Sequence, residues 1–259
     1  MSQVTWGQRL GTGALAGAAG GVLATLVLEL VVEPVINKSI AIEDARAAAV
    51  EVHDHGSGAH DHGGGEIVTR LQQQVGGGIT VIVVAALLGV AFAVIYARSA
   101  HRMPGTTDLG RSLSLAAIAF TVAAVMPALT IPANPPAVGD PATVNQRTVT
   151  YISTIAFSIV AVGGIFALDR ALASRNLSQE WRWLSVAGAS VAALGVVMLV
   201  VPQVPQSIPS DVPAQLIWQF RIRSLAQLAA LWAGIGIVHG VLMYRRAHRT
   251  AQMRMFDFA

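Results

Sequence analysis

Cysteine is absent from the 259 residues, so disulfides, thiolate metal sites and cysteine redox chemistry are all excluded. Any metal bound here is held through nitrogen, oxygen or methionine sulfur. Charge is scarce too: Asp, Glu, Lys and Arg make up 12% of the chain, against roughly 25% in soluble domains. With 54% hydrophobic residues, that deficit marks an integral membrane protein. Lysine is nearly missing, Lys38 standing alone beside sixteen arginines, so the formal charge of +3 bears on membrane orientation. No nucleic-acid-binding patch is present. Neither Gly-x-x-x-x-Gly-Lys-Ser/Thr nor His-Glu-x-x-His occurs, which removes ATP hydrolysis from this chain and leaves a membrane enzyme without support. His101 and His248 lie singly in basic segments.

Long apolar runs are abundant and give the expected fold class: an all-α polytopic membrane protein with six spans, forming one membrane domain over residues 1–259. The spans are expected at Leu10 to Val32, Ile79 to Tyr96, Leu113 to Leu129, Val149 to Leu168, Leu184 to Val201 and Leu225 to Tyr244. The first exceeds a signal-peptide core, and only Arg9 supplies charge ahead of it. Gly13, Gly17 and Gly21 recur every fourth residue, a stripe along which another helix can approach closely. Gly11 to Ala16 matches a dinucleotide fingerprint by chance, since no strand precedes it. Pro127 is expected to kink the third span.

Residues 33–74 read as the one long loop, with a short helix from Ile40 to Val52 opened by Ser39. Within it lies a duplicated His-Asp-His-Gly unit that supplies His53, Asp54, His55, His60, Asp61 and His62. Neutral imidazole is the commonest ligand for transition metals, and each aspartate either orients a ring N–H or joins the ligand set. Intervening glycines let both units fold around one ion at modest loop-closure cost. A single His-x-His is better read as a solvated loop, whereas two copies within ten residues favour metal binding. Such ligands hold nickel and copper more tightly than cobalt, so sequence chemistry does not choose the metal.

Orientation follows from the basic residues on alternate sides of six spans. One side carries Arg9, Arg98, Arg102, Arg111, Arg170, Arg175, Arg182, Arg245, Arg246, Arg249 and Arg254; the other carries Lys38, Arg46, Arg70, Arg147, Arg221 and Arg223. The positive-inside rule places both termini and the basic tail 245–259 in the cytoplasm of a cell-membrane protein, with the histidine strip outside.

Ionisable groups near the membrane are candidates for an ion path. Glu29 and Glu33 lie one turn apart at the outer end of the first span, Glu29 within the apolar run. Solvation at the interface is the competing account for both, and for Glu33, next to Pro34, the preferred one. Arg221 and Arg223 sit at the outer end of the sixth span, as snorkelling side chains or as partners of those acids in an outer gate. His239, deep in the sixth span, is more simply a helix–helix hydrogen bond, and Met126 beside Pro127 more simply packing.

Several of these stretches together resemble the CbtA family of cobalt transporter subunits. They are Glu33-Pro34, the His-Asp-His loop, Ile131-Pro132-Ala133-Asn134-Pro135-Pro136-Ala137-Val138-Gly139-Asp140-Pro141 running on to Arg147-Thr148, and Leu216-Ile217-Trp218-Gln219-Phe220-Arg221-Ile222-Arg223-Ser224-Leu225 with Gln227 and Trp232. The resemblance implies uptake of a divalent metal, cobalt for cobalamin biosynthesis, and a small single-span partner, CbtB, that itself bears histidines. It implies no permanent cofactor. The competing function is a membrane-anchored metal-binding or sensing protein that captures ions without moving them.

Overall fold

The computed structural model describes residues 5–53, 69–136 and 138–257, and the side chains of all of these except 50–53 and 249–257. Among the described residues there is no strand, and six helices are long and apolar enough to cross a membrane. The elements are α1 (Trp6–Val27), a π-helical segment (Leu28–Val32), α2 (Glu33–His53), α3 (Arg70–Ser99), α4 (Asp108–Phe120), a second π-helical segment (Thr121–Val125), α5 (Met126–Thr130), α6 (Val144–Ser174), α7 (Gln179–Val200) and α8 (Ala214–Asp257). In hydrocarbon every backbone polar group needs an internal partner, which a continuous helix supplies.

The helices outrun the apolar stretches because polar residues start and extend them. Thr5 and Gln8 form a reciprocal cap, Thr5 Oγ1 accepting from the Gln8 backbone N–H and Gln8 Oε1 from the Thr5 N–H. Thr69 and Gln72 repeat it at the start of α3. Each pair satisfies two otherwise orphaned donors. Span hydroxyls turn back on their own helices: Thr12 donates to the Gln8 carbonyl, Thr80 to Gly76 and Ser190 to Val186.

Residues 33–53 correct the loop expected there. The first helix does not stop at Val32; it continues through Pro34 to His53. Ser39 opens nothing, since its buried hydroxyl donates to the Val35 carbonyl within the same helix. Pro34 is tolerated because the preceding turn is widened, the Glu33 N–H reaching the Leu28 carbonyl five residues back. Pro127 follows its π-helical segment at the same offset. The Ala123 carbonyl, which a non-proline residue 127 would have bonded, accepts instead from the Tyr151 hydroxyl at 3.1 Å. Pro127, expected to kink the span, thus follows a widened turn.

The chain divides by its contacts into two compact units, residues 1–120 with 222–259, and residues 121–221. In the first, α1 and α3 run antiparallel with their backbones touching. A Cβ on Gly13 would meet the Gly89 carbonyl oxygen, one on Gly17 that of Ala85, and one on Gly21 the Ile82 Cα at 2.8 Å. The glycine stripe therefore does what its spacing suggests. Helix α8 lies antiparallel to α1 and α4, with Gly20 close to Gly234 and Leu231, Gly236 against Ala116, and Gly240 against Leu109.

In the second unit α6 and α7 form a hairpin closed at its loop by Arg182 and Asp169, whose closest atoms lie 2.7 Å apart. Met126, Val197 and Val201 pack together, as expected of Met126. The outer faces of this hairpin are bare: Val160 is 71% and Leu199 87% exposed. Faces of this kind need a lipid solvent.

Candidate functional site

At its α2 end the first unit gathers charge around the widened turn of the first span. Glu33 is buried, and Arg70 Nη2 bonds its Oε2 at 2.6 Å and Asn37 Oδ1 at 3.0 Å. Arg70 Nη1 reaches Gln73 Oε1 at 3.3 Å. The first residues of α3 are thereby clamped to the root of α2. From α8, Arg223 Nη1 donates to the Val31 carbonyl at 3.0 Å, inside the π-helical turn. Charge-assisted bonds of this type are stronger than neutral ones and hold an irregular turn in one geometry.

Glu29 sits in that same turn, half-buried, and no hydrogen bond or ion pair joins its carboxylate to another described residue. It is an intramembrane acid with capacity to spare. The sequence offers both acids as path candidates, with Glu29 the one inside the apolar run; in the structure Glu33 is paired with Arg70, while Glu29 bonds no other described residue. Neither Arg221 nor Arg223 takes the role of Glu33's partner. Arg70, which sequence reasoning passed over, does so from thirty-seven residues away. Its only local signal is its place one residue after the capping threonine.

The strip itself is placed in part. His53 ends α2, about 30 Å beyond Glu33 at 1.5 Å per residue. Its side chain, and Asp54, His55, His60, Asp61 and His62, lie outside the described residues. Among the described residues no group of three His, Asp or Glu side chains is positioned to hold a metal ion.

Arg221 belongs to the second unit. Its Nε donates to the Ala133 carbonyl at 3.2 Å and its Nη2 to Asn134 Oδ1 at 3.0 Å, and Asn134 Nδ2 donates to Gln206 Oε1 at 2.7 Å. In the same loop Gly139 has φ +138, a conformation that disfavours other residues, and Asp140 caps the following turn at the Ala142 N–H. The Pro-Ala-Asn-Pro loop and the Trp-x-Phe-Arg segment thus meet through one arginine.

Residues 7–244 match the family whose description is "Probable cobalt transporter subunit (CbtA)". The chain belongs to the CbtA family. The match takes in all six spans, the clamp at Glu33 and the Asn134–Arg221 junction, and fits a multi-pass membrane protein that is a cobalt transporter subunit. No curated protein and no solved structure matches the chain. The CbtA assignment therefore rests on the family match and the six spans together.

Proposed function

We propose that this CbtA chain admits a divalent transition-metal ion, cobalt by its family, through the first unit: the histidine strip captures the ion outside and the widened turn at Glu29 receives it. The observation that carries this is the unpartnered carboxylate of Glu29 within an irregular turn of a membrane span. A carboxylate within a membrane span is costly to keep there and by default marks an ion pathway, and π-helical turns recur at functional sites. In the same reading His53, Asp54, His55, His60, Asp61 and His62, which follow α2 in the sequence, form the capture site. The arginine distribution puts both termini in the cytoplasm.

Arg70 is then the gate. It occupies Glu33 one turn above Glu29, and a doubly charged ion arriving from the strip competes with a singly charged guanidinium for that carboxylate. Arg223 fixes the turn through a carbonyl, while Arg221 braces the second unit. A small membrane subunit bearing histidines, CbtB-like, is the proposed partner, and no permanent cofactor is required. Uptake of radiolabelled cobalt by cells with and without this chain, at matched expression of the partner, tests the proposal. Accumulation only when the chain is present supports transport. Metal retained on the membranes without accumulation inside supports the alternative, an anchored metal-binding or sensing protein.

A further inference from the structure

His239 is 2% exposed, deep in the sixth span, and the admission pathway above does not use it. Its ring meets Phe92 and Tyr96 edge-on, with centroids 5.2 and 4.7 Å away. Its Nδ1 lies 3.3 Å from Ser112 Oγ, and Ser112 Oγ lies 2.8 Å from the Gly236 carbonyl oxygen. The shorter of those two contacts is the basis on which the tautomer is assigned. A serine has one O–H, a carbonyl oxygen only accepts, and the Gly236 contact is the shorter of the two, so we assign that hydrogen to Gly236. Ser112 Oγ is left as an acceptor, and His239 must supply the hydrogen from Nδ1. The lone pair of the neutral ring is therefore on Nε2, which has no hydrogen-bond partner among the described residues.

We propose that His239 binds a proton at Nε2 and that this is the proton coupled to ion movement, a role that rests on the transport reading above. A proton suits the position better than a metal ion: it needs one lone pair, whereas no second or third His, Asp or Glu ligand stands with the ring among the described residues. Binding converts neutral imidazole to imidazolium while the Nδ1–H bond to Ser112 is kept, so nothing but the proton is transferred. The charged groups nearest the ring are Asp108 of α4 and Arg246 of α8. Tyr96 of α3 is the titratable group facing it, and its hydroxyl bonds Asp108 Oδ1 at 3.2 Å, with Arg111 of α4 acting on the same pair. Arg246 is held to α1 through the Gln8 carbonyl. A charge gained at His239 is felt by α1, α3, α4 and α8 together, where the glycine contacts leave no slack.

The test uses the full chain with 15N-histidine in lipid nanodiscs, together with uptake in cells. At neutral pH one imidazole should show the Nδ1–H tautomer with a bare Nε2, gain a second N–H on acidification, and vanish from the spectrum of His239→Gln. An Nε2–H tautomer, or a ring that stays neutral until the protein unfolds, overturns the proposal. In cells, cobalt uptake should fall when a protonophore collapses the proton gradient, and His239→Gln should lose that response; an unchanged response overturns the coupling role. No uptake by the unsubstituted chain ends the transport reading and the coupling with it, while the spectrum still decides protonation. Should His239→Gln fail to reach the membrane, Ser112→Ala serves instead. It removes the acceptor for Nδ1–H, so the fixed tautomer should be lost, and a spectrum identical to that of the unsubstituted chain overturns the assignment.

Discussion

Arg70 Nη2 lies 2.6 Å from Glu33 Oε2, joining the first turn of α3 to the root of α2 across the segment that carries the histidine strip. The carboxylate is mostly buried and the guanidinium partly open, with 11% and 39% of their side chains exposed. Removing the arginine leaves a buried acid short of its strongest partner, and should cost about 1–3 kcal/mol. Arg70→Ala should therefore lower the unfolding temperature in nanodiscs. Replacing both residues should cost less than the two single changes added. Additive losses would show that the pair is not coupled.

The glycine stripe gives a sharper contrast. A Cβ on Gly17 has no room before the Ala85 carbonyl oxygen, whereas Gly163 on α6 has nothing within 4 Å. Gly17→Ala should destabilise the first unit by about 1–3 kcal/mol, the usual cost of overpacking. Gly163→Ala should be neutral or slightly stabilising, since alanine is the better helix former. Equal effects in thermal unfolding would contradict the close approach of α1 and α3.

Much of this architecture is written in local pattern. All six spans follow from apolar runs, and the α1–α3 contact follows from Gly13, Gly17 and Gly21. Helix limits were less legible because they depend on polar atoms: the Thr5–Gln8 and Thr69–Gln72 caps can be found by spacing, but hydropathy does not weigh them. The run of helix from Glu33 to His53 escaped because proline ordinarily ends a helix, and only the widened turn at Leu28–Val32 admits Pro34. The candidate site was legible as a set of residue types and not as a set of partners. Glu33 finds Arg70, Arg221 finds Asn134 and Arg223 finds the Val31 carbonyl, each across separations that no sequence period encodes.

Asn134 and Arg221 offer a test of the second unit. Arg221 uses two nitrogens in a fixed fork, on the Ala133 carbonyl and the Asn134 amide oxygen. A lysine ammonium is a point donor on a flexible stem and does not reproduce that fork. Arg221→Lys should therefore resemble Arg221→Ala, each losing about 1–2 kcal/mol of stability. Full rescue by lysine would show that charge alone matters there.

Metal binding by the strip should depend on pH with a defined sign. Each imidazole must be unprotonated to ligate, and its reference pKa is about 6.5, so affinity is present above that value and lost as pH falls through it. A peptide from Val52 to Glu66 titrated with cobalt, nickel, copper and zinc should bind all four, with cobalt not the tightest. Affinity unchanged between neutral and mildly acid pH would mean that the histidines are not the ligands.

Capture and admission should fail differently, because they are assigned to different stretches: the strip that follows α2 in the sequence and the turn that precedes it. Changing His53, His55, His60 and His62 to alanine removes ligands from a segment beyond the spans, leaving the clamp at Glu33 and the turn at Glu29 untouched. Uptake should then drop when cobalt is scarce and recover when it is plentiful, a rise in the half-saturating concentration with little change in maximal rate. Glu29→Gln keeps the size of the side chain and removes the charge that would stabilise a cation within the span. Since Glu29 bonds no other described residue, that change should cost little stability, and its effect should fall on the maximal rate at every concentration. Arg221→Ala, which acts on a loop of the second unit, should not offset the loss at Glu29. Concentration-dependent cobalt uptake at matched membrane levels measures all of this. If the four-histidine variant stays inactive at saturating cobalt while Glu29→Gln transports normally, the strip is part of the permeation path and the widened turn is not.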